Sequence, residues 1–263
     1  MLDCSANNLT DFDISKNTAL TELYCSSNEL SSLNMSKNTK LTKLYCNTNQ
    51  LTSLDVSENT TLTWLSCSSN QLTNLDLNKN VALSWFSCTN NQLSSLDVSK
   101  NTALTRIGCS HNQIKNLDVS KNIALTRLYC RSNQLTVLDV CNNTRLGILC
   151  CCKNQLTSLD ISKNTALWEL NCPENQLASL DVSKNIELTE LYCSSNQLSI
   201  SALNFLFETL NNDITYIKFI QIDGNPGEHG CNRSIAEEKK WNIKELQKSM
   251  KEKKKKNIQT KKL

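Results

Sequence analysis

The sequence predicts a solenoid. Parallel β coils, with two short strands each, stack into a curved or superhelical rod closed by a C-terminal α/β cap. Three observations predict it. Cys recurs at positions 4, 25, 46, 67, 88, 109, 130, 151, 172 and 193, a constant step of 21 residues. An Asn stands three residues after each Cys, from Asn7 to Asn196, and a Leu five after, with Ile114 the one exception. A second Asn follows ten residues after the first, from Asn17 to Asn185. Such a unit cannot bury its own apolar face, so each coil must be covered by its neighbours.

Residues 20–40 read LTELYCSSNELSSLNMSKNTK, and the general pattern is LxxLxCxxNxLxxLDVSKNxx. Alternation in LxC and in LDV places every second side chain inside, the period of a strand. Two such strands leave only short corners and no room for a helix in each coil. At a spacing of roughly 4.8 Å, ten coils make a rod of roughly 50 Å.

At these residues the chain resembles the leucine-rich repeats, with LxxLxCxxN matching their highly conserved segment and Cys in a slot that accepts Leu or Cys. The two nested half-units resemble the bacterial 21-residue subclass called IRREKO, over residues 1 to about 243. The fold implied is a leucine-rich-repeat solenoid, and the resemblance implies a surface or secreted protein. Ten unpaired cysteines suit a reducing or anaerobic setting instead.

Composition agrees with a packed rod. Five Gly and two Pro in 263 residues exclude collagen-like and Pro/Gly-rich disordered chains. No run approaches the ~20 apolar residues of a membrane span. The N-terminus shows no basic n-region or apolar h-region of a signal peptide. The first coil starts midway, at Leu2, which points to a truncated N-terminus. The net charge of +3 is uneven. Nine Lys against two Glu give residues 244–263 a charge of +7, leaving the other 243 at −4.

Each invariant column has a structural reading. The Asn columns are expected at corners, in left-handed geometry, forming amide ladders. The ten in-register Cys read as buried free thiols. Cys141, Cys150 and Cys152 fall at outward positions as candidate exposed thiols with a redox or cross-linking role, and Cys231 is the fourth outside the column. An Asp column (13, 55, 76, 97, 118, 139, 160, 181) and a Lys column (16, 37, 79, 100, 121, 163, 184) read as a solvated face in which Lys neutralises Asp.

Specificity is therefore expected at the third, fifth, seventh and eighth slots of LxxLxCxxN. There Trp64 and Trp85 fall on adjacent coils, followed by Arg106 and Arg127, with Tyr129 and Arg131 beside them. Tyr45 precedes them and Trp168 lies further along, one slot earlier in its unit. Trp, Tyr and Arg are the residue types enriched at interface hot spots. These eight residues are the candidate partner-binding set. With two His, at 111 and 229, and no nucleophile elbow, phosphate loop or metal-ligand cluster, the sequence points to no catalytic group, cofactor or metal.

After Leu198 the pattern breaks. Residues 201–210 read as a short amphipathic helix with a Ser cap, 214–222 as a strand, and 234–241 as one more helix. The segment GNPG…Cys231…SIAEEKKW resembles the ending of surface-associated bacterial proteins of this repeat class. The organisation is thus a solenoid over 1–200, a cap over 201–243 and a basic tail over 244–263, read as disordered. The leading function is a non-enzymatic scaffold for a protein partner. The alternatives are a cell-surface adhesin or glycan binder, and an intracellular effector whose tail meets anionic partners without specific nucleic-acid recognition.

Overall fold

A computed structural model describes residues 1–244. Ten strands repeat at the third to fifth slots: β1 (Leu2–Asp3), β2 (Glu22–Tyr24), β3 (Lys43–Tyr45), β4 (Trp64–Ser66), β5 (Trp85–Ser87), β6 (Arg106–Gly108), β7 (Arg127–Tyr129), β8 (Ile148–Cys150), β9 (Glu169–Asn171) and β10 (Glu190–Tyr192). They pair in parallel and in sequence order, so residues 21 apart are direct neighbours, as in Trp64 beside Trp85. Within each three-residue strand the central residue is buried and its two neighbours face outward, as in Glu22, Leu23 and Tyr24. Leu, Val, Ile and Cys columns fill one continuous core.

The expected second strand of each coil is absent among the described residues; the LDV segments form no ladder. The donors and acceptors a ladder needs are engaged locally. Asp55 Oδ1 accepts the Ser57 amide at 2.9 Å, and the Val56 carbonyl accepts the Asn59 amide at 3.0 Å and the Asn80 side chain at 2.9 Å. The same Asp contact recurs at Asp13, Asp97, Asp118, Asp139, Asp160 and Asp181, and hydrogen bonding from the residue two on holds the Asp13, Asp97, Asp118, Asp139 and Asp160 carboxyls below their usual range. The acid column is thus stabilised first by backbone N–H groups. Lys neutralisation is the lesser effect, for the only ion pair the Lys column makes among the described residues joins Lys79 to Glu58, which stands in a Lys slot, at 3.9 Å.

The Asn columns also differ from expectation. Left-handed φ falls on the residue before the first Asn, ten times from Ala6 (55°) to Ser195 (52°). The Asn side chains themselves reach across coils to backbone rather than to each other. Asn49 Oδ1 accepts the Leu30 amide at 3.1 Å, while its Nδ2 donates to the Cys25 and Cys46 carbonyls at 3.0 and 3.2 Å. Asn59 Nδ2 donates to the Met35 and Asn38 carbonyls at 3.2 and 2.9 Å. Each Asn therefore supplies inter-coil bonds that the bent backbone cannot make for itself.

Beyond the coils lie α1 (Ile200–Thr209), β11 (Lys218–Gln221), α2 (Ser234–Glu238) and β12 (Trp241–Lys244). Ser199 caps α1, accepting the Ala202 amide at 3.2 Å, and Leu203, Leu206 and Phe207 are buried. The strand expected over 214–222 is only four residues, since Ile214 and Ile217 are exposed. The helix expected over 234–241 stops at Glu238, and Trp241 instead opens a strand pairing with β11, its side chain buried. Beside it Lys218 is buried, its ammonium held by the Asn211 carbonyl and Oδ1 and lying 5.3 Å from the Trp241 ring. Burial pulls that ammonium below its ordinary pKa, offset in part by Asp213. The tail from residue 245 lies outside the described residues.

Candidate functional site

The outward face of the sheet carries two rows of side chains, one from the third slot and one from the fifth. Parallel register sets residues of a row one coil apart. Rings that stand perpendicular to the rod axis can therefore stack. Tyr24 stacks on Tyr45 with centroids 4.7 Å apart, Tyr45 on Trp64 at 5.8 Å, and Trp64 on Trp85 at 4.1 Å, nearly parallel at 6°. The Arg106 guanidinium continues the column between Trp85 (5.5 Å) and Tyr129 (4.9 Å). Six consecutive coils thus form one column of π faces with a cation inserted before its last ring. Offset ring pairs contribute about 0.5–1.5 kcal/mol each beyond burial, and a cation–π contact at an exposed site about 0.5–1 kcal/mol.

A hydroxyl and amide layer lies beneath the rings. Ser66 Oγ donates to Asn47 Oδ1 at 2.6 Å, and the Ser68 and Ser87 hydroxyls lie 2.8 Å apart. Charge flanks the column. Glu22 pairs with Lys43 at 3.1 Å and accepts the Tyr24 hydroxyl at 2.9 Å, which lowers the Glu22 pKa and raises that of Tyr24. Two strands beyond the other end, on β9, Glu169 sits above its usual range through burial and the nearby Glu190, with Arg127 opposing.

Of the eight residues expected at the site, the structure brings Tyr45, Trp64, Trp85, Arg106 and Tyr129 into one column. Both Trp rings are half-buried rather than freely exposed, because each covers its neighbour. Arg127 and Arg131 are exposed at its margin and join no ring contact. Trp168 stands apart, packed over Gly147, where an added Cβ would meet its Nε1 at 3.0 Å. Tyr24, outside the expected set, also belongs to the column. A second cluster also went unseen, in which the Lys244 ammonium lies 3.5 Å from the Phe219 ring and 6.0 Å from Tyr192. Its signal is the register Glu190 to Phe219, which exists only once β11 joins the sheet.

The cysteines divide into two groups. Nine of the ten in-register thiols are buried. Cys141 is exposed, as expected. Cys152 is not. It is 3% exposed, because the chain turns in at the left-handed Lys153, and its sulfur lies 3.6 Å from that of half-buried Cys150. Among the described residues no group of three or more His, Cys, Asp or Glu could hold a metal ion. No helix there is long and apolar enough to cross a membrane.

No protein-family model and no curated protein matches the chain. Solved structures do. The functional domain of InlJ from Listeria monocytogenes, described as including a cysteine ladder, is 35% identical, with a TM-score of 0.68 over 84% of this chain and 54% of that one. The chain thus spans about half of that structure. An internalin, InlF, from Listeria monocytogenes (19% identity, TM-score 0.62) covers 92% of this chain and 85% of its own, and shows the fold alone. A leucine-rich-repeat protein of Leptospira interrogans (19%, 0.56) does the same over 88% and 74%. The chain is a leucine-rich-repeat solenoid, and its 21-residue period and likeness to these structures are consistent with a bacterial subclass of that fold.

Proposed function

We propose that the chain is a binding scaffold that recognises a protein partner through the column Tyr24–Tyr45–Trp64–Trp85–Arg106–Tyr129, with Arg127 and Arg131 at its margin. The observation that carries this reading is the continuous stack across six coils, with an arginine sandwiched between Trp85 and Tyr129. The leucine-rich-repeat fold it shares with its neighbours supports a binding scaffold at the coarse level.

The stack's geometry favours a protein over a glycan. Sugars bind aromatic side chains by lying on a ring face. Here the faces of Trp64 and Trp85 are turned to each other at 4.1 Å and outward access is to ring edges. Edges and guanidinium groups suit the aromatic, aliphatic and carboxylate groups of a protein surface. The effector alternative rests on the tail, outside the described residues. A pull-down from host-cell lysate with wild type, a Trp64→Ala/Trp85→Ala variant and a Trp168→Ala control tests the proposal. The double variant should lose proteins that the control retains. An unchanged set of captured proteins sinks it, and glycan-array binding lost with the same two rings would favour the adhesin alternative.

A further inference from the structure

One feature of the outward face takes no part in the aromatic column. Cys150 closes β8 in the fifth-slot row, directly beside Tyr129, and Cys152 follows two residues on. Their sulfurs lie 3.6 Å apart in thiol–thiol contact, and either can donate the shared proton. Between them Cys151 points into the core and is fully buried. The pair is thus set off from the buried column by the alternation of the strand, and from Cys141, which lies on the other half of its coil and contacts Asn142 Oδ1 at 3.8 Å.

We propose that Cys150 and Cys152 are a reversible dithiol that closes to a disulfide by exchange with a low-molecular-weight disulfide. A disulfide needs a sulfur separation of about 2.05 Å, so the two atoms must close by about 1.5 Å. The chain bends at Lys153 (φ 56°) immediately after the pair, where the regular pleat that would hold neighbouring outward side chains apart has ended. The half-buried Cys150 is the sulfur an incoming disulfide meets; Cys152, at 3% exposure, is the resolving thiol. Electrostatics favours ionisation of the pair. The hydrogen bond from Cys150 and the nearby Arg131 charge, against burial, draw Cys152 down to about 7. The same hydrogen bond, with burial, raises Cys150, so the pair keeps its proton on Cys150 at rest, and Cys152 takes that proton across the contact as Cys150 attacks.

The exchange balances. Cys150, passing its proton to Cys152, attacks one sulfur of the external disulfide, breaks its S–S bond and expels a thiolate, which takes that proton from Cys152. Cys152 then attacks the Cys150 sulfur, breaks that mixed S–S bond and expels the second. The two cysteine protons leave on the two released thiols, and two electrons pass from the cysteine pair to the external disulfide.

Trypsin releases residues 146–153, LGILCCCK, with all three thiols in one peptide. The full chain, reduced and then incubated at neutral pH with oxidised glutathione, is quenched in acid and alkylated in denaturant. The expected peptide carries one alkyl group, on Cys151, and is lighter by two hydrogens; dithiothreitol restores three alkyl groups. The peptide spanning 132–145 should instead keep a glutathione on Cys141. Cys152→Ser should trap a glutathione adduct on Cys150, and Cys150→Ser should leave Cys152 unmodified. Three alkyl groups on wild-type LGILCCCK, a glutathione adduct that persists on it, or a bond involving Cys151 would each overturn the proposal. These wild-type readouts stand even where a variant fails to fold.

Discussion

Raising the pH should unfold this rod through its own core. Nine in-register thiols, from Cys25 to Cys193, are buried, and burial pushes each well above the ordinary thiol range, to about 12 at Cys67, Cys109 and Cys193. In the unfolded chain they return to about 9. A folded-state pKa above the unfolded one contributes stability that is complete below about pH 9 and is lost as the pH climbs towards the folded values. One unit above the unfolded pKa, each ionised thiol favours the unfolded chain by about 1.4 kcal/mol, or roughly 12 kcal/mol for nine. That matches the ~5–15 kcal/mol total stability of an ordinary domain, so cooperative unfolding is expected between about pH 9 and pH 10. Urea midpoints measured from neutral to alkaline pH with reductant present give the slope, while ultraviolet absorbance reports thiolate. A Cys88→Val/Cys109→Val variant should reduce the loss per pH unit by about 2.8 kcal/mol. Thiolate absorbance rising while circular dichroism stays native, or an equal slope in the variant, would refute the reasoning.

The two Asn columns should differ in cost. Asn112→Ala strands the buried Leu93 amide, bonded to Oδ1 at 3.0 Å, and removes donors from the Cys88 and Cys109 carbonyls, a loss of about 2–4 kcal/mol. Asn101→Ala removes bonds only to the Leu77 and Asn80 carbonyls, together with an Oδ1 that accepts none among the described residues, so about 1–2 kcal/mol is expected. Urea denaturation ranks them, and the opposite order would refute the assignment. Thr48, a β-branched residue held at φ 53°, should gain about 0.5–1 kcal/mol on replacement by Asn, read as a higher urea midpoint at unchanged slope. Trp85→Ala breaks contacts with both Trp64 and Arg106 and should cost about 1–2.5 kcal/mol beyond lost burial; a loss no larger than for Trp168→Ala would mean the column adds nothing to stability.

The period of 21 made coil, register and buried columns legible, because each follows from side-chain alternation and exact repetition. The number of strands was not. LDV alternates as well as LxC does, but the Asp that follows its Leu captures an amide two residues on, a competition that alternation cannot reveal. Likewise the left-handed residue is not the Asn, because the Asn side chain is occupied in bonding neighbouring backbone. In the candidate site, Trp64, Trp85 and Arg106 were legible by type and register. Cys152 departs from the outward slot that alternation assigns it because the strand ends at Cys150 and the chain turns in at Lys153.

The route of the aromatic column was also written in the sequence, in a relation between slots rather than in either row alone. Third- and fifth-slot residues of one coil share the same face two residues apart, so bulk in one limits bulk in the other. Where the third slot holds Trp64, Trp85 or Arg106, the fifth holds Ser66, Ser87 or Gly108, and Ser66 and Gly108 are buried. Where the fifth slot holds Tyr24, Tyr45 or Tyr129, the third holds the flexible Glu22, Lys43 or Arg127, able to stand aside. The column therefore crosses from the fifth-slot row to the third between Tyr45 and Trp64, and returns between Arg106 and Tyr129. This exchange lets one π column run through six coils without overpacking any of them. The ridge so formed bows from the fifth-slot row to the third and back, with its cation, Arg106, set on β6 beside Tyr129 on β7.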